Sequence, residues 1–321
     1  MLRKEFIKSI IGMSILTSVD GFPLKNKMGS TSFQTTEKDF ASFTEVHLSN
    51  TDLQKSIAFW TNIVGMKLRK VDGVIATFGT VEKTLVVVHQ TATKPFVEGF
   101  SGLYHFAIHA TNAQEFAKMI QRLINNNYPF SPTDHTMSKS VYLRDPDGIT
   151  IEFALETPER FKRIITENGL WIEDVNGEIH SASAVLNLDE ILQELKDKSV
   201  KEPIHEDTKI GHFHFYVSNL EEANQFYKRA GFISFNHLPQ YKYADVGMQS
   251  AYKHRIAMNM WHGKNKPLAP QHHAGLKYYT IVYQSKAKLD SVMQECSNVK
   301  KQNNKYWLSD PTGILICFQS A

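Results

Sequence analysis

Two landmarks recur in this chain at nearly the same spacing, and that recurrence restricts its fold more than any other feature. His47-Leu48-Ser49-Asn50-Thr51-Asp52-Leu53, followed by Ser56, Phe59 and Trp60, reappears as His214-Phe215-Tyr216-Val217-Ser218-Asn219-Leu220, followed by Ala223, Phe226 and Tyr227, an offset of 167 residues from 47 to 214. Tyr142-Leu143-Arg144-Asp145-Pro146-Asp147-Gly148 returns as Trp307-Leu308-Ser309-Asp310-Pro311-Thr312-Gly313, offset by 165 from 145 to 310. Two landmarks displaced almost equally mean two homologous modules in tandem.

Within the first module the same order of elements runs twice. A strand around His47 leads into a helix from Asp52 to Val64, with Leu53, Ile57, Trp60 and Val64 at helical spacing and Gly65 as a stop. Short strands follow near Lys67 to Val71, Val74 to Phe78 and Thr84 to His89. The order restarts with a strand from Tyr104 to His109, a helix from Ala113 to Asn125, and strands near Tyr128, from Ser140 to Leu143 and from Ile149 to Leu155. Each module therefore reads as two βαβββ units, and the chain as an α+β protein of four tandem units forming two modules, each a curved sheet cup. The expected division is an N-terminal extension over 1–40, a first module over 41–157, a connector over 158–208 with a helix from Asp189 to Lys196, and a second module over 209–321.

Composition excludes several partners. Thirty-six basic against 33 acidic residues give a net charge of +3, too weak a field to imply nucleic acid or an anionic membrane. Two cysteines, Cys296 and Cys317, make neither a disulfide framework nor a thiolate cage, which agrees with a reducing, cytoplasmic setting. The alternative is export. Arg3-Lys4-Glu5-Phe6-Ile7-Lys8 before the apolar run Ile10 to Val19 is similar to a degenerate twin-arginine signal, but no Ala-x-Ala-type cleavage site follows, and the run is too short to span a bilayer.

The chemistry is expected at His47, His105 and Glu152, each central in a short apolar stretch: Glu45-Val46-His47-Leu48, Leu103-Tyr104-His105-Phe106-Ala107 and Thr150-Ile151-Glu152-Phe153. In a strand a polar residue between apolar ones points away from them, toward a cavity. Two imidazoles and a carboxylate aimed at one point make a 2-His-1-carboxylate metal site. In the second module Tyr278 aligns with His105 and Cys317 with Glu152, so that module is expected to hold no metal, with His212, His272 and His273 in surface or loop roles.

These residues resemble the vicinal oxygen chelate superfamily, whose members pair βαβββ units into a cup around a metal, and most nearly its two-module extradiol ring-cleaving dioxygenases of the catechol 2,3-dioxygenase type. The resemblance covers about residues 42 to 321, including Asp134-His135, Tyr142, the Asp-Pro-Asp-Gly turn, Gly169-Leu170-Trp171 and Asn259-Met260-Trp261-His262-Gly263. It implies Fe(II), with Mn(II) as the alternative ion, on His47, His105 and Glu152, and a catechol-like diol and O₂ as substrates. It also implies acid-base roles for Tyr142, ten residues before Glu152, for His135, and for His89 in the family's other histidine position. No membrane span is expected, and a homo-oligomer is an admissible state. A glyoxalase-type isomerase of the same superfamily calls for a fourth, carboxylate ligand on the last strand of the first unit, which here reads Thr84-Leu85-Val86-Val87-Val88-His89 with no carboxylate. The remaining alternative is a non-catalytic small-molecule-binding protein of the resistance type on the same scaffold.

Overall fold

The computed structural model describes residues 38–198 and 200–321, so the export-like segment before Val19 lies outside the described residues. Four βαβββ units follow one another. Unit 1 comprises β1 (Ala41–Asn50), α1 (Leu53–Ala58), β2 (Lys67–Asp72), β3 (Ile75–Gly79) and β4 (Thr84–Gln90). Unit 2 comprises β5 (Gly102–His109), α2 (Ala113–Asn125), β6 (Ser131–Asp134), β7 (Ser138–Arg144) and β8 (Thr150–Glu156). The connector carries a small sheet of β9 (Phe161–Ile165), β10 (Trp171–Asp174) and β11 (Ile179–Ser181), then a short helix α3 (Leu188–Leu192). Unit 3 is β12 (Lys209–Tyr216), α4 (Leu220–Arg229), β13 (Ile233–Leu238), β14 (Tyr243–Gly247) and β15 (Ile256–Asn259). Unit 4 is β16 (Gly275–Tyr283), α5 (Lys286–Gln294), β17 (Lys300–Gln302), β18 (Lys305–Ser309) and β19 (Leu315–Ser320).

Local sequence accounts for the helices. Asn112 and Asn219 cap α2 and α4, their side-chain oxygens accepting from Glu115 N and from Glu221 and Glu222 N. Helix α2 then buries Phe116, Ile120 and Leu123 on one face. The first helix departs from the expected continuous run. It is α-helical only to Ala58 and widens into a π-helical turn over Phe59–Ile63, with Val64 N bonding Phe59 O at 3.0 Å. That turn brings both Phe59 and Trp60 into the core. In the connector, α3 ends at Leu192, short of the Lys196 expected; Ile191 is its one buried residue, so it has little packing to extend it.

The pairing of units differs from the pairing of the sequence repeat. Strand β1 runs antiparallel to β16 of unit 4, with His47 opposite Tyr278, and β5 runs antiparallel to β12 of unit 3, with His105 opposite His214. Between the two pairs β1 and β12 share one register pair, Phe43 with Ile210, which joins everything into one sixteen-stranded sheet. The cups are therefore formed by units 2 and 3 and by units 1 and 4, not by units 1 and 2 and by units 3 and 4. The reason is physical: alternation fixes which face of each first strand is buried, but all four first strands offer similar edges, and nothing in the pattern selects the neighbour.

The Asp-Pro-Asp-Gly segment does more than turn the chain. Asp147 accepts from Asn50 Nδ2 at 2.9 Å, Thr51 N at 2.8 Å and Thr51 Oγ1 at 2.6 Å, which fastens the end of β1 to the β7–β8 turn. Asp145 accepts from Asn50 Nδ2 at 2.6 Å and from Ile149 N at 2.8 Å. No helix among the described residues is long and apolar enough to cross a membrane.

Candidate metal centre

Alternation along three paired strands sets the site. On β5 the residues His105, Ala107 and His109 share one face, on β8 Glu152, Ala154 and Glu156 do, and on β12 His212 and His214 do. Parallel pairing places Ala107 beside Glu152, and antiparallel pairing places His212 opposite Ala107. The small Ala107 thus sits between the two longer side chains, and the donor atoms meet above it.

His105 Nε2 lies 3.0 Å from Glu152 Oε2, His212 Nε2 lies 3.0 Å from the same oxygen, and the two nitrogens are 3.4 Å apart. All three residues are at least 97 % buried. Ligand atoms about 2.1 Å from one ion and at right angles to one another stand roughly 3.0 Å apart, so this spacing and this donor set fit a divalent transition metal on one triangular face. Burial pushes His105 below and His212 well below the ordinary 6.5, against the pull of Glu152. Burial by itself would raise Glu152, but the facing His212 and His105 hold its carboxyl well below the usual range. Neutral imidazoles and an ionised carboxylate are the ligating forms.

The structure does not bring the expected trio together. His105 and Glu152 come together, but the third donor beside them is His212, not His47. His47 lies in the other cup, its Nδ1 3.1 Å from His89 Nε2, its Nε2 3.3 Å from Glu45 Oε2, and its ring stacked on Tyr278 at 3.8 Å between centroids. His89 is therefore also in that cup, away from Glu152. The cause is the unit pairing: unit 2 faces unit 3 and not unit 1. The site is consequently shared by both modules, and His212, expected in a surface or loop role, is 1 % exposed. His272 and His273 do lie on a surface loop, where His273 Nδ1 meets the Pro95 carbonyl at 2.7 Å. In the cup of units 1 and 4 the positions matching the three donors hold Tyr278, Cys317 and Glu45.

His135 and Tyr142 form a pair, with His135 Nε2 2.9 Å from Tyr142 Oη and His135 Nδ1 2.7 Å from the Ala182 carbonyl. A carbonyl only accepts, so Nδ1 carries the proton, Nε2 accepts, and the phenol donates. Tyr142 pairs in register with Glu152, and its ring stands 5.4 Å from that of His105. Burial, then Glu152, pushes the phenol well above its ordinary value.

Aromatic side chains border the same cup. Tyr104 stands 4.9 Å from His214 and 5.8 Å from Trp261, and Trp261 stacks toward Tyr243 at 6.5 Å. His214 Nε2 takes a hydrogen bond from Asn259 Nδ2 at 2.9 Å, and His254, whose ring is 4.8 Å from that of His212, is held by Asp245 at 2.8 Å. None of these was picked out as a functional residue from the sequence. The available signal was the alternation Gly211-His212-Phe213-His214-Phe215, which puts two imidazoles on one face of one strand.

Fold and site together define a protein of paired βαβββ cups with a buried two-histidine, one-carboxylate centre. The model of the Glyoxalase/Bleomycin resistance protein/Dioxygenase superfamily matches residues 42–153, and a catechol-2,3-dioxygenase of Bacillus subtilis (strain 168) is 29% identical over 276 residues, 83% of this chain and 93% of that protein. Over residues 42–153 the chain is similar to this superfamily. Among solved structures, a point mutant of glyoxalase I from Zea mays superposes with a TM-score of 0.53 at 16% identity, covering 88% of this chain and 94% of its own. A provisionally described dioxygenase from Bacillus subtilis gives 0.54 at 11% identity, covering 89% and 86%. These two share the fold.

Proposed function

We propose that the protein is an extradiol ring-cleaving dioxygenase for a catechol-like diol, with divalent iron held by His105, Glu152 and His212. The observation that carries this reading is the convergence of the three donor atoms at 3.0 to 3.4 Å in a cup bordered by Tyr104 and Trp261. The similarity to the Bacillus subtilis catechol-2,3-dioxygenase over most of both chains supports it. Iron held by these three residues would supply the redox chemistry that couples a diol to dioxygen.

The protein's own share is positioning and proton handling. Tyr104 and Trp261 offer faces to a flat ring entering the cup. A substrate hydroxyl beside Tyr142 gives its proton to the phenol oxygen as the phenol's own proton passes to His135 Nε2. The resulting imidazolium keeps its Nδ1 proton on the Ala182 carbonyl, and the pair returns the gained proton to the opened product. His47 and His89 take no part in this scheme.

The fourth carboxylate that an isomerase needs has its place on the last strand of the partner unit. With units 2 and 3 paired, that strand is β15, which reads Ile256-Ala257-Met258-Asn259 and carries no carboxylate. The group of facing donors likewise stops at three among the described residues. The test is anaerobic loading with Fe(II), addition of a catechol and then O₂, with a yellow ring-fission product expected. Iron-loaded protein that consumes no O₂ with any catechol yet isomerises a hemithioacetal would overturn the proposal.

A further inference from the structure

A buried chain of polar side chains runs from the site toward the protein surface and takes no part in the scheme above. His212 Nδ1, on the far side of the ring from Glu152, lies 2.8 Å from His109 Nε2, and His109 Nδ1 lies 2.8 Å from Glu156 Oε1. His109 is wholly buried. Glu156 in turn receives Arg255 Nη1 at 2.8 Å and Lys209 Nζ at 3.0 Å, and Arg255 is held by Asp39 at 3.0 Å and by the Gly211 carbonyl at 3.2 Å. We propose that His109, anchored by Glu156, is a positioning residue that fixes the His212 imidazole in its metal-binding tautomer and raises the affinity of the site for a divalent ion. This rests on the reading of His105, Glu152 and His212 as a metal site.

Proton bookkeeping along the chain gives the direction. Two cations keep Glu156 ionised, so its oxygen can only accept, and the single proton of a buried neutral imidazole sits on His109 Nδ1. His109 Nε2 then presents a lone pair, and the proton facing it belongs to His212 Nδ1. His212 Nε2 is left bare, aimed at the point that His105 and Glu152 share. Tyr252 Oη, at 3.4 Å, is the other polar atom near His212 Nδ1 and is the more distant one. Histidine ligands are commonly oriented in this way by an acceptor at the second ring nitrogen.

The backbone is shaped for the same ring. A Cβ at Gly211 would fall 2.1 Å from His109 Cγ and Cδ2, and β12 slips register between Ile210 and His212 at that glycine. A side chain there would displace His109, so the glycine and the bulge preserve its place. His105 has no equivalent support: its Nδ1 is buried with no partner among the described residues. The tether therefore acts on one imidazole of the two.

The full-length protein, titrated anaerobically with Co(II) by calorimetry and by the visible bands of the bound ion, tests this alongside His109→Leu, His109→Gln and Glu152→Ala. Removal of an outer partner of this kind weakens metal binding about 10- to 100-fold, which is the loss expected for His109→Leu. His109→Gln should recover most of it, because one amide can accept from His212 and donate to Glu156, whereas a filler of space would be replaced as well by Leu as by Gln. If Glu152→Ala binds Co(II) as wild type does, the metal site itself is misassigned. If Glu152→Ala loses the ion while His109→Leu keeps wild-type affinity and spectrum, the tether alone is overturned. Nitrogen-15 spectra of histidine in the unsubstituted, metal-free protein give a check that needs no variant: both His109 and His212 should carry their proton on Nδ1, and a His212 proton on Nε2 would overturn the proposal.

Discussion

Replacing Tyr142 with Phe separates proton handling from architecture. The substitution keeps the ring, which is 8 % exposed, and removes the Oη that donates to His135 Nε2 at 2.9 Å. One neutral hydrogen bond contributes about 0.5–1.5 kcal/mol net, which in a chain of this size lowers Tm by roughly 1–2 °C. Loss of a positioned proton donor costs about 10²- to 10⁴-fold in rate, equivalent to roughly 3–5 kcal/mol of barrier. The chemical effect therefore exceeds the structural one several-fold. Oxygen uptake with saturating catechol, iron content after anaerobic loading and thermal unfolding should show kcat reduced at least a hundredfold, iron unchanged and a modest Tm shift. A variant with kcat within threefold of wild type would refute the assigned proton path. One that loses its iron would show that the phenol supports the ligands instead.

Three further outcomes follow from the same geometry. Trp261→Ala removes an exposed face beside Tyr104 and should raise KM for a catechol by about 2- to 10-fold, the scale of one aromatic contact, with iron content unaltered. Asp147→Ala strips three hydrogen bonds that fasten β1 to the β7–β8 turn and should lower stability by about 2–4 kcal/mol, read as a lower urea midpoint at constant m. Burial, against hydrogen bonds from Asn50 and Ile149, pushes Asp145 from 3.8 up to about 7. A raised carboxyl pKa in the folded state makes its contribution complete below about pH 4, declining through pH 4–7 and absent above, so wild type should lose stability relative to Asp145→Asn between pH 5 and pH 8 in urea unfolding. Parallel curves would contradict that value.

Much of this was legible in the residues, and the part that was not has a definite cause. The repeat offsets gave four βαβββ units in the observed order, because periodicity and glycine stops are local properties. Helix α2 begins at Ala113 and ends at Asn125 as its pattern indicates, since Asn112 and the apolar face both mark it. The first helix did not follow its pattern: it widens into a π turn at Phe59, where both Phe59 and Trp60 are buried. Unit pairing is a choice among equivalent edges separated by a hundred residues, and no local pattern encodes it. That one ambiguity separates His47 from the residues beside Glu152: His214 is the counterpart of His47 in the repeat, and the donor facing Glu152 is its same-face neighbour His212. The tautomer of His135 was unreadable for a similar reason, since it depends on the Ala182 carbonyl in the connector.

The proposed function requires a metal shared by units 2 and 3 through His105, Glu152 and His212. Its most direct test is iron retained per chain after anaerobic loading and desalting, compared for His212→Ala and His47→Ala. His212→Ala should retain almost none, and His47→Ala should retain as much as wild type. Retention by His212→Ala with loss in His47→Ala would contradict it and return the site to the pairing of units 1 and 2.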